Sequence, residues 1–201
     1  MKPKDRVTTA AAASLLAALM VFGPANAANN TITEVRDPVR GANFYSVALS
    51  DDSLQTLQIR GGLFNEDDRM TLGFSALFFD ESSRIENYIV WLRHDGPRRW
   101  FTGVDPQPVE LWIGDATVQP TPINQLGGTQ ATGEGIFVEK LEFSLTPAQF
   151  DQLATTAEAT LALRTVRGQI VKEFTAAELA AIREFQRSVG ASLQRRSVPG
   201  G

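Results

Sequence analysis

Apolar residues follow a period of two over most of the stretch from Gly135 to Leu145, with Leu141, Phe143 and Leu145 on the same face as Phe137. Val138, Lys140, Glu142 and Ser144 fall on the other face, so the segment predicts a strand with one buried side. At Thr146 the period changes. Thr146-Pro-Ala-Gln149 has the residues of a capping box, with proline at the first helical position, and predicts a short helix that turns Phe150, Leu153 and Ala154 inward. Alternation returns in Ala159–Thr165, Arg167-Gly168 reads as a turn, and Gln169–Phe174 as the returning strand. Thr175-Ala-Ala-Glu178 is a second capping box. It opens a helix whose stripe is Leu179, Ile182, Phe185, Gln186 and Val189, with Gly190 as its expected stop.

The first half is read the same way. Phe44–Leu49 is a strand with Tyr45, Val47 and Leu49 on one face, and Asp51-Asp52-Ser53 is expected to turn the chain. Leu54–Arg60 follows, with Leu57 and Ile59 as its buried pair. Met70–Phe79 carries Met70, Leu72, Phe74, Ala76 and Phe78 on one face, while Leu77 and Phe79 make its far end apolar on both sides, as in a central strand covered twice. Tyr88–Arg93, Arg98–Gly103 and Val109–Ile113 are further strands. The Pro-, Thr-, Gln- and Gly-rich run 116–133 reads as a long surface connection.

About eight short strands with turns between them predict a mainly β protein. The expected fold is an antiparallel β-sandwich with two C-terminal helices packed on it. A single antiparallel sheet with helices on one face (α+β) is the alternative.

Residues 1–27 stand apart. Lys2, Lys4 and Arg6 precede an apolar run, Ala10–Phe22, and Ala25-Asn26-Ala27 offers the small residues of a cleavage site. This is the layout of a secretory signal peptide. The expected organisation is a signal peptide over 1–27, an extended arm over 28–42, one β-sandwich domain over 43–190 and a flexible tail over 191–201. Cleavage after Ala27 predicts a periplasmic or secreted protein with no membrane span in the mature chain. It also removes three cations and one anion, taking the formal net charge from -4 to about −6. That balance and that compartment disfavour nucleic acid as a partner. The chain has no cysteine, so neither a disulfide nor a lipid-anchored amino terminus is available to it.

Candidate chemistry is sparse. His94 is the single histidine, expected in a turn and without a second metal-ligating histidine or cysteine, so no metal site and no cofactor is expected. The acidic runs 51–52, 65–68 and 80–81 read as solvated turns. The sharpest constellation surrounds His94-Asp95-Gly96-Pro97. Read as a hairpin turn, it sets Arg93 opposite Arg98 and Trp91 opposite Trp100. Trp91, Arg93, Arg98 and Trp100 would then form a ligand-binding surface, indoles giving area and guanidinium forks direction. Ordinary packing of a tryptophan pair across a sheet competes with that reading.

No catalytic residue is selected. The expectation is an exported, non-catalytic binding or accessory module of the bacterial cell envelope, whose partner is a small anionic or glycan ligand or an envelope protein. The alternatives are a hydrolase acting on envelope carbohydrate through two carboxylates and a subunit for protein–protein assembly.

Overall fold

A computed structural model describes residues 32–37, 42–53, 58–60, 67–79, 84–101, 109–131 and 135–197. The segments 1–31, 38–41, 54–57, 61–66, 80–83, 102–108, 132–134 and 198–201 lie outside that description, and with them the expected signal peptide, the Leu57 position and the acidic pair 80–81. In chain order the elements begin with β1 (Thr33–Asp37), β2 (Ala42–Ser53), β3 (Gln58–Arg60), β4 (Arg69–Phe79) and β5 (Asn87–Gly96). β6 (Val109–Ile113), β7 (Ala116–Val118), β8 (Thr121–Ala131) and β9 (Phe137–Leu145) follow. The chain closes with α1 (Pro147–Thr155), β10 (Ala159–Thr165), β11 (Gly168–Glu173) and α2 (Ala176–Ser197).

The fold is mainly β, with two antiparallel sheets and two helices. One sheet has six strands in the order β1-β2-β4-β5-β9-β8, and the other has five in the order β3-β11-β10-β6-β7. The main hydrophobic core draws on both sheets and both helices, and a smaller cluster gathers Ala42, Phe44 and Ile89. Tyr45, Met70, Leu72, Phe74, Val90, Leu141 and Phe143 come from the larger sheet, Leu111, Leu161, Leu163 and Ile170 from the smaller. α1 supplies Phe150 and Leu153; α2 supplies Leu179, Ile182, Phe185 and Val189. The period-two faces read in β4 and β9 are the faces that are buried. At the junction of sheet and helices the Tyr88 ring stacks on Phe150, centroids 3.7 Å apart and planes within 5°.

Both capping boxes form. The Gln149 amide donates to Thr146 Oγ1 at 3.3 Å while Gln149 Oε1 accepts from the Thr146 amide at 2.8 Å. The Glu178 amide donates to Thr175 Oγ1 at 3.2 Å while Glu178 Oε2 accepts from the Thr175 amide at 2.7 Å. Glu178 also serves the core edge, because its Oε1 pairs with the buried Lys172 ammonium at 2.8 Å.

The structure corrects several local readings. Asp51–Ser53 does not turn the chain; β2 runs on through them, paired with Arg69–Thr71, after an irregularity between Ala48 and Ser50 absorbs the odd residue. The run 116–133 is no plain connection, since it contributes β7 and β8. β8 is the edge of the six-stranded sheet, where Pro122 is tolerated because one side of the strand needs no donor. α2 does not stop at Gly190 but reaches Ser197, and Leu193, a turn further on, is buried with the stripe. A glycine inside a helix costs only about 1 kcal/mol, which burial of one leucine can offset.

Candidate functional site

His94 lies not in a turn but in β5, where it is only 1% exposed. Two carboxylates hold it. Asp68 Oδ1 is 3.0 Å from Nε2, and Glu139 Oε2 is 3.2 Å from Nδ1. The second contact has ion-pair distance but lies off the direction of a hydrogen bond. An ionised carboxylate only accepts, so Nε2 is the donor toward Asp68. Both acids are 0% exposed, which overturns the expectation that Asp68 belongs to a solvated turn. Gly96 makes the approach possible: a Cβ there would lie 2.1 Å from Asp68 Oδ1 and 2.8 Å from His94 Nε2.

Glu139 does a second job. Its Oε2 accepts the Trp100 amide at 2.5 Å, and both oxygens lie 3.3 Å from the Phe101 amide. Two backbone donors of a segment that belongs to no strand are thereby satisfied inside the core. The His94 ring also packs near the rings of Trp100 and Phe101, at centroid distances of 6.2 Å and 5.9 Å. The arrangement is a clamp that fixes the chain where it leaves β5. Period two in β9 places Glu139 in phase with Leu141, Phe143 and Leu145, and that phase was the signal in the sequence.

The expected hairpin does not form. β5 continues through Asp95 to Gly96, flanked by β4 on one side and β9 on the other, so no edge is left for residues 98–101 to pair with. Trp91 and Trp100 are therefore not cross-strand partners, and Arg93 does not face Arg98. Trp91 is buried against β4, where Gly73 leaves room for the indole: a Cβ at Gly73 would meet Trp91 Cζ2 at 2.1 Å and the Val47 carbonyl at 2.4 Å. Trp100 is 0% exposed in the main core. Arg93 stays beside Trp91 on its face and donates from Nη2 to Asp95 Oδ1 at 2.8 Å. The four residues are not brought together, and both indole faces are covered.

Of the four, Arg98 lies at the end of the molecule, half-buried and next to the exposed Arg99. The β10–β11 turn meets this segment: the Val166 amide donates to the Trp100 carbonyl at 3.3 Å, and Arg167 Nε donates to the Arg99 carbonyl at 2.8 Å. The Arg99 guanidinium lies 4.8 Å from the centre of the Phe137 ring. Three arginines and the apolar residues Ile136 and Val166 thus share one end, Val166 being 53% exposed and Ile136 37%. None of the three arginines pairs with a carboxylate among the described residues.

Elsewhere a half-open groove of about 250 Å³ is lined by Ile32, Glu34, Tyr45, Ser188, Val189 and Ser192, which include one carboxylate and three hydroxyls but no histidine. Among the described residues no three His, Asp or Glu side chains converge as metal ligands would, and no helix is long and apolar enough to cross a membrane. No protein-family model, curated protein or solved structure matches the chain.

Proposed function

We propose that this chain is an exported, non-catalytic binding or accessory module of the cell envelope. One observation carries the non-catalytic part: the lone histidine is enclosed between Asp68 and Glu139. Neither ring nitrogen faces a hydroxyl among the described residues, so the ring has no nucleophile to deprotonate. The hydrolase alternative needs two acids across a cleft with substrate between them. At this cluster the space between the acids is filled by imidazole, and both acids are 0% exposed. The binding part draws on the arginine-bearing end, which sets three guanidiniums without a carboxylate partner among the described residues on an otherwise acidic protein. Export rests on the charged start, apolar run and small-residue site of residues 1–27.

The test has two arms. Cell fractionation with amino-terminal sequencing should find the chain outside the cytoplasm, beginning at Ala28. The purified mature chain, incubated with peptidoglycan and envelope polysaccharides, should release no soluble fragments. Fragment release that disappears in an Asp or Glu variant would overturn the reading, as would a purely cytoplasmic chain.

A further inference from the structure

We infer that the end formed by Arg98, Arg99, Ile136, Val166 and Arg167 docks on an anionic phospholipid surface. This deepens the binding reading above and rests on its placement of the chain in the envelope. Three features point to a lipid surface. The first is charge: three guanidiniums without a carboxylate partner among the described residues gather at one end of a chain whose formal net charge is -4. The second is apolar exposure at the same place. Val166 sits in the β10–β11 turn and Ile136 directly precedes β9, so both lie at ends of strands rather than on a face. A turn that carries an aliphatic side chain beside arginines can seat it at the acyl boundary while the guanidiniums stay among the headgroup phosphates.

The third feature is rigidity. Arg167 Nε is tied to the Arg99 carbonyl at 2.8 Å, the Arg99 guanidinium rests on Phe137, and the Trp100 carbonyl holds the Val166 amide. Below them the Trp100 and Phe101 amides are anchored on Glu139. The strand, the turn and the segment 97–101 therefore present their side chains as one surface, with little ordering left to lose on contact. A soluble anionic glycan would find guanidiniums here, but it would have no use for Val166, and the two indoles that could stack on sugar rings are buried.

The experiment is co-sedimentation of the mature chain with vesicles of phosphatidylglycerol and phosphatidylcholine, against vesicles of phosphatidylcholine alone. Binding is expected only to the anionic vesicles and should weaken as salt is raised. Arg98→Glu breaks no hydrogen bond or ion pair among the described residues and should weaken binding at least roughly fivefold; reversing all three arginines should weaken it by on the order of a hundredfold or more. Val166→Asp should weaken vesicle binding while leaving the circular dichroism spectrum unchanged. Equal binding to neutral vesicles, no binding to either kind, or an Arg98→Glu variant that binds as the parent does would each overturn the inference. So would full competition by inorganic phosphate or a sulfated glycan at charge equal to the lipid, because that outcome assigns the end to a soluble anion. Failure here with the chain still found in the envelope and inert toward its polymers removes only the lipid surface.

Discussion

Glu139 Oε2 stands 3.2 Å from His94 Nδ1 and at the same time accepts the Trp100 amide at 2.5 Å. One oxygen thus ties a β5 side chain to the backbone of the segment that follows β5. Replacing Glu139 by Gln keeps one carbonyl acceptor but loses the charge, and should cost roughly 1.5–3 kcal/mol, the range for hydrogen bonds to charged groups. Glu139→Ala leaves the amides without an acceptor and the imidazole with one carboxylate, and should cost roughly 3–5 kcal/mol. Urea titration checks both, read as a fall in the midpoint at constant slope. Trp100 is buried beside the lost carboxylate, so its emission should shift to the red in the Ala variant. A Glu139→Ala protein as stable as the parent would show that the clamp is not what fixes residues 97–101.

Trp91 and Gly73 form a second dependent pair, on the opposite face of the larger sheet. The indole occupies the place where a Gly73 side chain would stand, with Cζ2 only 2.1 Å from an ideal Cβ position. Gly73→Ala should therefore destabilise by roughly 1–3 kcal/mol through overpacking. In a Trp91→Ala background the same change should cost clearly less, giving a coupling on the order of 0.5–3 kcal/mol in a double-mutant cycle. Some cost should persist, because the Val47 carbonyl, 2.4 Å from that position, does not move with the indole. Strict additivity would mean that the two residues are not in contact.

These two pairs also show where sequence reading worked and where it stopped. The alternation in Met70–Phe78 and Phe137–Leu145 gave the faces turned to the main core because successive strand side chains point to opposite sides of the sheet. The capping boxes at Thr146 and Thr175 gave both helix starts because those bonds are local. The hairpin failed for the converse reason. Asp95-Gly96-Pro97 does end a strand, but the place beside β5 is taken by β9, whose Leu141 pairs with Leu92. Competition for an edge between segments so distant in sequence leaves no local mark. Glu139 is legible in its phase: a carboxylate in step with Leu141, Phe143 and Leu145 is expected to be buried, and a buried carboxylate needs partners, which the sequence does not name. Asp68 keeps the phase of Met70, Leu72 and Phe74, but it stands just before β4 in a run of acids that reads as a turn, and the turn signal hides the phase.

Gly190 offers a test with the opposite sign. It lies inside α2, its φ is not among the positive values in the chain, and an added Cβ would meet nothing within 4 Å. Gly190→Ala should stabilise the protein by about 0.5–1 kcal/mol by lowering the backbone entropy of the unfolded chain. Thermal unfolding should show a higher midpoint, with helix content unchanged or slightly raised. A destabilised variant would place this stretch of α2 in contact with something that fills the space beside Gly190.

Tyr88 makes the stability of the fold sensitive to alkali. Burial raises its phenol well above the ordinary value, and the nearby negative charge of Asp151 raises it further. The neutral phenol is the form stacked on Phe150. Below an unfolded-state pKa of about 10, both folded and unfolded chains keep this proton, and the Tyr88 contribution is fully present. Above it the unfolded chain releases the proton while the folded chain retains it, so rising pH favours unfolding by about 1.4 kcal/mol per pH unit for this one group. The measurement is the urea midpoint from about pH 9 to 12, spanning the ordinary tyrosine range, in the parent and in Tyr88→Phe, whose difference isolates the group from lysines and from Tyr45. The parent should lose stability more steeply with pH than the variant, and tyrosinate absorbance from Tyr88 should appear only as the protein unfolds. Identical pH slopes, or a Tyr88 that ionises reversibly in the folded chain, would show the phenol to be open to water.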